Sequence, residues 1–233
     1  QSGDKIEGCA TNYKGQWCLN SEIVYDEFGI NYGGLLQTGN MKPGSDGPKL
    51  ITPILSAQKK ISKHPGEKVS WVSGDSAYAH EAFIRACLGN QCSFTVAAHG
   101  NMKWMEQAEG IDPDNWTPWE YTEQEKEEFK KCKQNLPQRL LARYHWSPSW
   151  AENIVLPVII KKEWRSTPSP LLPDDGVWFY HAVITNEDLH KYSYQQVYSR
   201  YLSRANMENF IKETKVNYDG YHFPCLKFDA NNA

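Results

Sequence analysis

The chain has 233 residues, 25 Lys plus Arg against 28 Asp plus Glu, and a formal net charge of −3. That length can bury a substantial core in one large or two small domains. The near-balance of charge excludes a module that holds polyanions with its whole surface, so any nucleic-acid footprint must be local.

The first elements read as a hairpin: Ser21 to Phe28 and Asn31 to Gln37 are two strands joined by a tight turn at Gly29. A Gly/Pro-rich loop over Gly39 to Pro48 follows. Leu50, Ile54, Leu55 and Ile61 then predict a helix to about Lys63, stopped by His64-Pro65-Gly66. Val69 to Ser73 is an alternating strand, Ala79 to Leu88 a helix with Ser76 as N-cap, and Ser93 to Ala98 the next strand. Hairpin, helix and βαβ in this order imply an α/β chain whose sheet is mixed and covered by helices.

A long insertion spans roughly Asn101 to Asp175 and holds Trp104, Trp116, Trp119, Trp146, Trp150 and Trp164. These rings could stack on unpaired bases beside cations such as Arg143, or form a small core of the insertion's own; the second reading is favoured. Ile154 to Ile160 is its candidate strand. Glu120 to Glu128 is an acidic stretch, and the cations from Lys126 to Arg143 follow it; both read as solvated helix faces. Ser166 to Asp175, with Pro168, Pro170 and Pro173, is the linker back. The return strand Val177 to Thr185 carries His181 inside an apolar run, which suits a sheet histidine better than a ligand. Helical stretches over His190 to Tyr201 and Ser203 to Glu213 follow, either separate or as one bent element.

Two features carry chemistry. Asp75 ends the strand within Gly74-Asp75-Ser76-Ala77-Tyr78, where open α/β sheets place ligand-binding residues; by itself it reads equally as a capping Asp. Tyr201, Arg204, Glu208 and Lys215 are spaced three, four and seven residues apart, which on one α-helix stacks them along a single face. A carboxylate flanked by Arg and Lys stays charged, and the two cations can grip phosphate oxygens. The competing reading is a solvated helix with ordinary i,i+3 and i,i+4 pairs.

The spacing Tyr201-x2-Arg204-x3-Glu208-x6-Lys215 resembles the Y-(2)-R-(3)-E-(6)-K signature of bacterial insertion-sequence DDE transposases, and Gly74 to Tyr78 looks like their second-aspartate motif. The segment from Lys5-Ile6-Glu7-Gly8 through Tyr25-Asp26-Glu27-Phe28-Gly29, then Gly39-Asn40 and Phe228 to Ala233, are similar to the same group, so the resemblance covers most of the chain and is weakest between about Asn101 and Asp175. It implies a ribonuclease H-like fold interrupted between the second Asp and the Glu. Residues 1–100 would be the first part of that core, 101–175 the insertion and 176–233 the remainder. It further implies that Asp75 and Glu208 are catalytic metal ligands for two Mg2+ (or Mn2+) ions. Tyr201, Arg204 and Lys215 would contact DNA, with transposon ends and target DNA as partners and a homodimer assembled on DNA.

The implied activity is metal-dependent strand cleavage and strand transfer in the bacterial cytoplasm, at the nucleoid. Non-catalytic DNA or protein binding, and a nuclease without strand transfer, stay open beside it. In the family the first catalytic Asp lies a few residues upstream of the segment beginning at Gln1, on the first of three antiparallel strands. Only two such strands are legible here, so the sequence is expected to start just after that Asp. Asp4 in a turn-like context and Asp26 in the hairpin are explained as surface residues. Cys9, Cys18, Cys87, Cys92, Cys132 and Cys225 show no Cys-x2-Cys pair or zinc spacing and read as free thiols. No secretory leader and no apolar run of ~18 residues is visible, which makes a soluble cytoplasmic setting and no membrane partner the expectation.

Overall fold

The computed structural model describes residues 6–12, 14–61, 71–100, 103–166, 176–217 and 227. The chain divides into two compact units, Gln1–Ser93 with Leu202–Ala233, and Phe94–Tyr201.

In the first unit, β1 (Ala10–Thr11), β2 (Trp17–Tyr25) and β3 (Asn31–Thr38) form an antiparallel sheet in chain order. The hairpin turn is local chemistry. Asp26 Oδ1 accepts from the Phe28 and Ile30 amides, both at 2.9 Å, and Gly29 takes a φ of +85° that other residues adopt at a cost. Asp26 is thus a turn residue. The two-residue β1 pairs with Trp17 and Cys18 and adds a third strand that the sequence did not announce, because it is too short to show alternation.

Helix α1 (Gly47–Ile61) follows and buries Ile51 and Leu55. It begins three residues before the first apolar position used to predict it. Strand β4 (Trp71–Gly74) runs into a 3-10 turn, Ser76–Tyr78, and then α2 (Glu81–Gly89), which buries Phe83, Ile84 and Cys87. Burial pushes the Cys87 thiol up to about 12, as suits an inert core thiol. The predicted helix start is displaced: Ser76 caps nothing in α2, whose N-cap is His80, which makes no side-chain bond to the helix amides. The stop predicted at His64-Pro65-Gly66 lies outside the described residues, as do Asp4 and Cys225.

The second unit is built on strands in the order β5 (Ser93–Ala97), β9 (Gly176–Thr185), β8 (Leu156–Ser166), β7 (Arg139–Trp146) and β6 (Thr117–Pro118), each antiparallel to its neighbour. Val158, Ile159 and Ile160 on β8, and Ala182, Val183 and Ile184 on β9, are buried at consecutive positions, so both faces of these central strands are covered. Helix α5 (Tyr194–Ser203) lays Val197, Tyr198 and Tyr201 on one face with Leu141, Ile159 and Val183. The two other helices are short. α3 (Trp104–Glu109) buries Trp104 and Ala108, while α4 (Glu123–Lys131) buries nothing and is held by a Thr122–Glu125 capping box.

The tryptophans of this unit pack. Trp104, Trp116 and Trp119 are buried, Trp146 meets Trp150 at 6.5 Å, and Trp164 meets Trp178 at 5.3 Å. His181 is a sheet residue whose Nδ1 lies 2.6 Å from the Tyr198 hydroxyl. None of the described cysteines, Cys9, Cys18, Cys87, Cys92 and Cys132, is in a disulfide. Among the described residues no helix is long and apolar enough to cross a membrane.

Candidate active site

Asp75 follows the last residue of β4 in an extended conformation, and its carboxylate is exposed. One oxygen, Oδ1, accepts from the Ala77 amide at 2.9 Å. The capping role is therefore real, and it orients the carboxylate instead of competing with a ligand role: a fixed Oδ1 leaves Oδ2 turned to a defined side.

The turn beyond Asp75 is clamped by the loop before α1. Gly44 has a φ of +82°, and a Cβ there would stand 2.5 Å from the Ala77 carbonyl oxygen. The His80 ring nitrogen Nε2 lies 2.9 Å from the Gly44 carbonyl. The Tyr78 ring fills the space beside Gly47 and Gly74, where added Cβ atoms would fall 2.6 and 2.9 Å from it.

Behind this loop sits a polar network. Gln37 Nε2 donates to Glu22 Oε1 at 2.8 Å and to Asp46 Oδ2 at 2.9 Å, the Asp46 amide reaches Glu22 Oε1 at 3.4 Å, and Lys49 pairs with Asp46 at 2.5 Å. Glu22 is 5% exposed and Gln37 3%. Burial drives the Tyr78 phenol well above the ordinary tyrosine range, and the charges of Glu22 and Asp75 add to this while Arg204 opposes it. Glu22, Asp75 and Arg204, distant in sequence, are thus all felt at one hydroxyl. Sequence reading missed Glu22, Gln37 and Asp46 because polar residues on a hairpin and in a loop look like solvated ones.

The four residues spaced from Tyr201 to Lys215 divide. Helix α5 ends at Ser203 and α6 (Asn206–Asn217) begins after a turn in which the Ala205 amide bonds the Leu202 carbonyl and the Met207 amide the Arg204 carbonyl. The single helical face expected for Tyr201, Arg204, Glu208 and Lys215 is therefore interrupted at Arg204. Tyr201 is buried in the core of the second unit, its ring 5.2 Å from that of His181. Arg204 is half-buried in the turn, Glu208 stands exposed in the first turn of α6, and Lys215 lies further along α6.

Asp75 and Arg204 line a cavity of about 1560 Å3 in the first unit, together with Glu22, Tyr78 and the α6 residues Met207 and Phe210 on either side of Glu208. Among the described residues no three His, Cys, Asp or Glu side chains gather closely enough to hold a metal ion. The donor set that is present, two exposed carboxylates carried on one unit, consists of hard oxygens of the kind Mg2+ and Mn2+ take.

The family described as transposase DDE domain group 1 matches residues 3–233. The chain belongs to that family. Membership covers both units and places the protein among transposition-related, DNA-acting proteins of a class that typically uses divalent metal. No curated protein matches this transposase-domain chain.

Proposed function

We infer that this domain is the catalytic part of an insertion-sequence transposase, of ribonuclease H-like fold, that cleaves DNA at transposon ends and transfers the strand to a target. The observation that supports this is that Asp75 and Arg204 line the same cavity of the first unit, together with Met207 and Phe210 of the helix that bears Glu208. In this reading residues 1–100 and 176–233 are the two parts of the catalytic core and 101–175 its insertion. The domain works on DNA as a homodimer.

Asp75 and Glu208 would hold the divalent metal, which when bound activates the attacking oxygen and stabilises the leaving one at a DNA phosphate. The protein's own contribution is placement. The Ala77 amide fixes the Asp75 carboxylate, and the Tyr78 ring packs against Gly74 just before it. Arg204 offers a planar fork for phosphate oxygens, and Lys215 is the second cation of the proposed phosphate contacts. Phosphate contacts of this kind fix register without reading sequence, and Tyr201, buried in the core of the second unit, is not counted among them.

Calorimetric titration of the full chain with Mn2+ tests the assignment. Binding is expected in the wild type and lost in both Asp75→Ala and Glu208→Ala, while Arg204→Ala keeps metal binding and loses affinity for an end-containing DNA duplex. Mn2+ binding that is unaffected by Glu208→Ala would overturn the shared site.

A further inference from the structure

Strand β2 contacts the helix that bears Glu208 and the loop packed against the Asp75 turn, through side chains that no part of the reading above uses. On one side Glu22 takes the Gln37 amide and the Asp46 backbone, and Asp46 begins the tight approach to α1 from the loop that clamps the Asp75 turn. On the other side the Tyr25 hydroxyl lies 2.7 Å from Thr214 Oγ1 of α6, and the Tyr25 ring packs at 5.9 Å from that of Phe210. The seat is built for that helix. Phe210 Cε1 would be 2.8 Å from a Cβ on Gly29, so the hairpin turn is kept bare where α6 lands. A register shift between Val24 and Tyr25 interrupts the strand's alternation beside Tyr25, the device by which strands re-aim a side chain.

Two exposed carboxylates on separate elements need a common frame if they are to share an ion, because ligand geometry is tolerated only within a few tenths of an ångström. We propose that β2 is that frame, and that Tyr25 and Glu22 are positioning residues which set Glu208 and Asp75 relative to one another. Tyr25 does so by docking α6, Glu22 by holding the loop beneath the Asp75 turn. The inference rests on the reading of Asp75 and Glu208 as metal ligands. It adds that removing one phenolic hydroxyl or one buried carboxylate, neither of which touches metal or DNA, weakens metal binding.

The test is Mn2+ titration of the full chain in wild type, Tyr25→Phe, Thr214→Val, Thr214→Ser and Glu22→Gln, with thermal unfolding followed in parallel. Tyr25→Phe, Thr214→Val and Glu22→Gln are expected to weaken Mn2+ binding by about tenfold, the scale seen when partners that orient a metal ligand are removed. All are expected to remain folded at the titration temperature. Thr214→Ser, which keeps the hydroxyl, retains wild-type affinity, and the Tyr25→Phe, Thr214→Val pair costs no more than either alone. Wild-type affinity in Tyr25→Phe and Glu22→Gln, or losses explained by the unfolded fraction, would overturn the positioning role. A Glu208→Ala control separates the two failures. If it still binds Mn2+, the metal reading falls and this inference with it; if it does not and Tyr25→Phe does, only the frame is wrong.

Discussion

The two units solve the burial of charge in opposite ways. In the second, Glu163 is 7% exposed and surrounded by Arg139 at 2.6 Å, Arg165 at 2.9 Å and Lys161 at 3.4 Å, with the Arg165 guanidinium 4.3 Å over Phe179. Among the described residues the buried polar atoms without hydrogen-bond partners there are Trp104 Nε1, Trp119 Nε1 and the Tyr144 hydroxyl. In the first unit Glu22 Oε2 and Gln37 Oε1 are buried with no hydrogen-bond partner among the described residues, next to a wide cavity and glycines pressed against a turn. An orphaned carboxylate oxygen costs about 1–3 kcal/mol or more. The first unit leaves buried polar atoms unpaired beside the cavity that Asp75 lines, and the second surrounds its buried carboxylate with cations, which is the kind of place where local rules and function are expected to part.

The sharpest break of this contrast is Ile159→Ala. Ile159 is fully buried at the centre of the second unit's core, and the lost methylenes and cavity should cost about 3–4 kcal/mol. Urea unfolding checks this, and a loss below about 1 kcal/mol would show that the core is loose.

Next in size is Glu163. Burial pushes its carboxyl up, but the hydrogen bonds from Arg139 and Arg165 and the charge of Lys161 outweigh burial and hold it at about 2, against an ordinary 4.5. A depressed folded value means the stabilisation is fully present above about pH 4.5 and is lost as pH falls through about 2. Glu163→Gln should lower stability by about 2 kcal/mol at neutral pH, since it strands partly buried cations, and should flatten the acid side of the stability profile. An unchanged profile from pH 5 to 2 would argue against the three-cation clasp.

The smallest loss of stability, with the largest loss of function per unit of stability, is expected from Gly44→Ala. Its φ of +82° and the 2.5 Å approach to the Ala77 carbonyl should cost about 1–2 kcal/mol and displace the Asp75 turn. Mn2+ affinity should therefore fall further than the melting temperature suggests. Equal losses by the two measures would mean that the loop does not govern Asp75.

Much of the fold was legible along the chain. The hairpin was marked by its turn chemistry, since Asp26 and Gly29 act within five residues. Strands β8 and β9 were marked by runs of β-branched and aromatic residues, although β8 starts two residues later than Ile154, at Leu156. The second tier of the site was not legible. Nothing in the sequence marks Glu22 off from Glu27 or Gln37 from Gln58, because burial is conferred by the loop and helix packed over them.

The chain by itself determined where most strands, turns and helices fall, which residues are able to bear chemistry and, over residues 3–233, the family to which it belongs. Those are properties of contacts within a few residues and of side-chain type. Only the tertiary structure decided that the signature is broken at Arg204, with Tyr201 buried in a core and Glu208 starting a new helix. It alone brought Glu22, Asp75 and Arg204 to bear on one hydroxyl and docked α6 on β2 through Tyr25. Each of these depends on pairs far apart in sequence, for which neither periodicity nor spacing carries a signal.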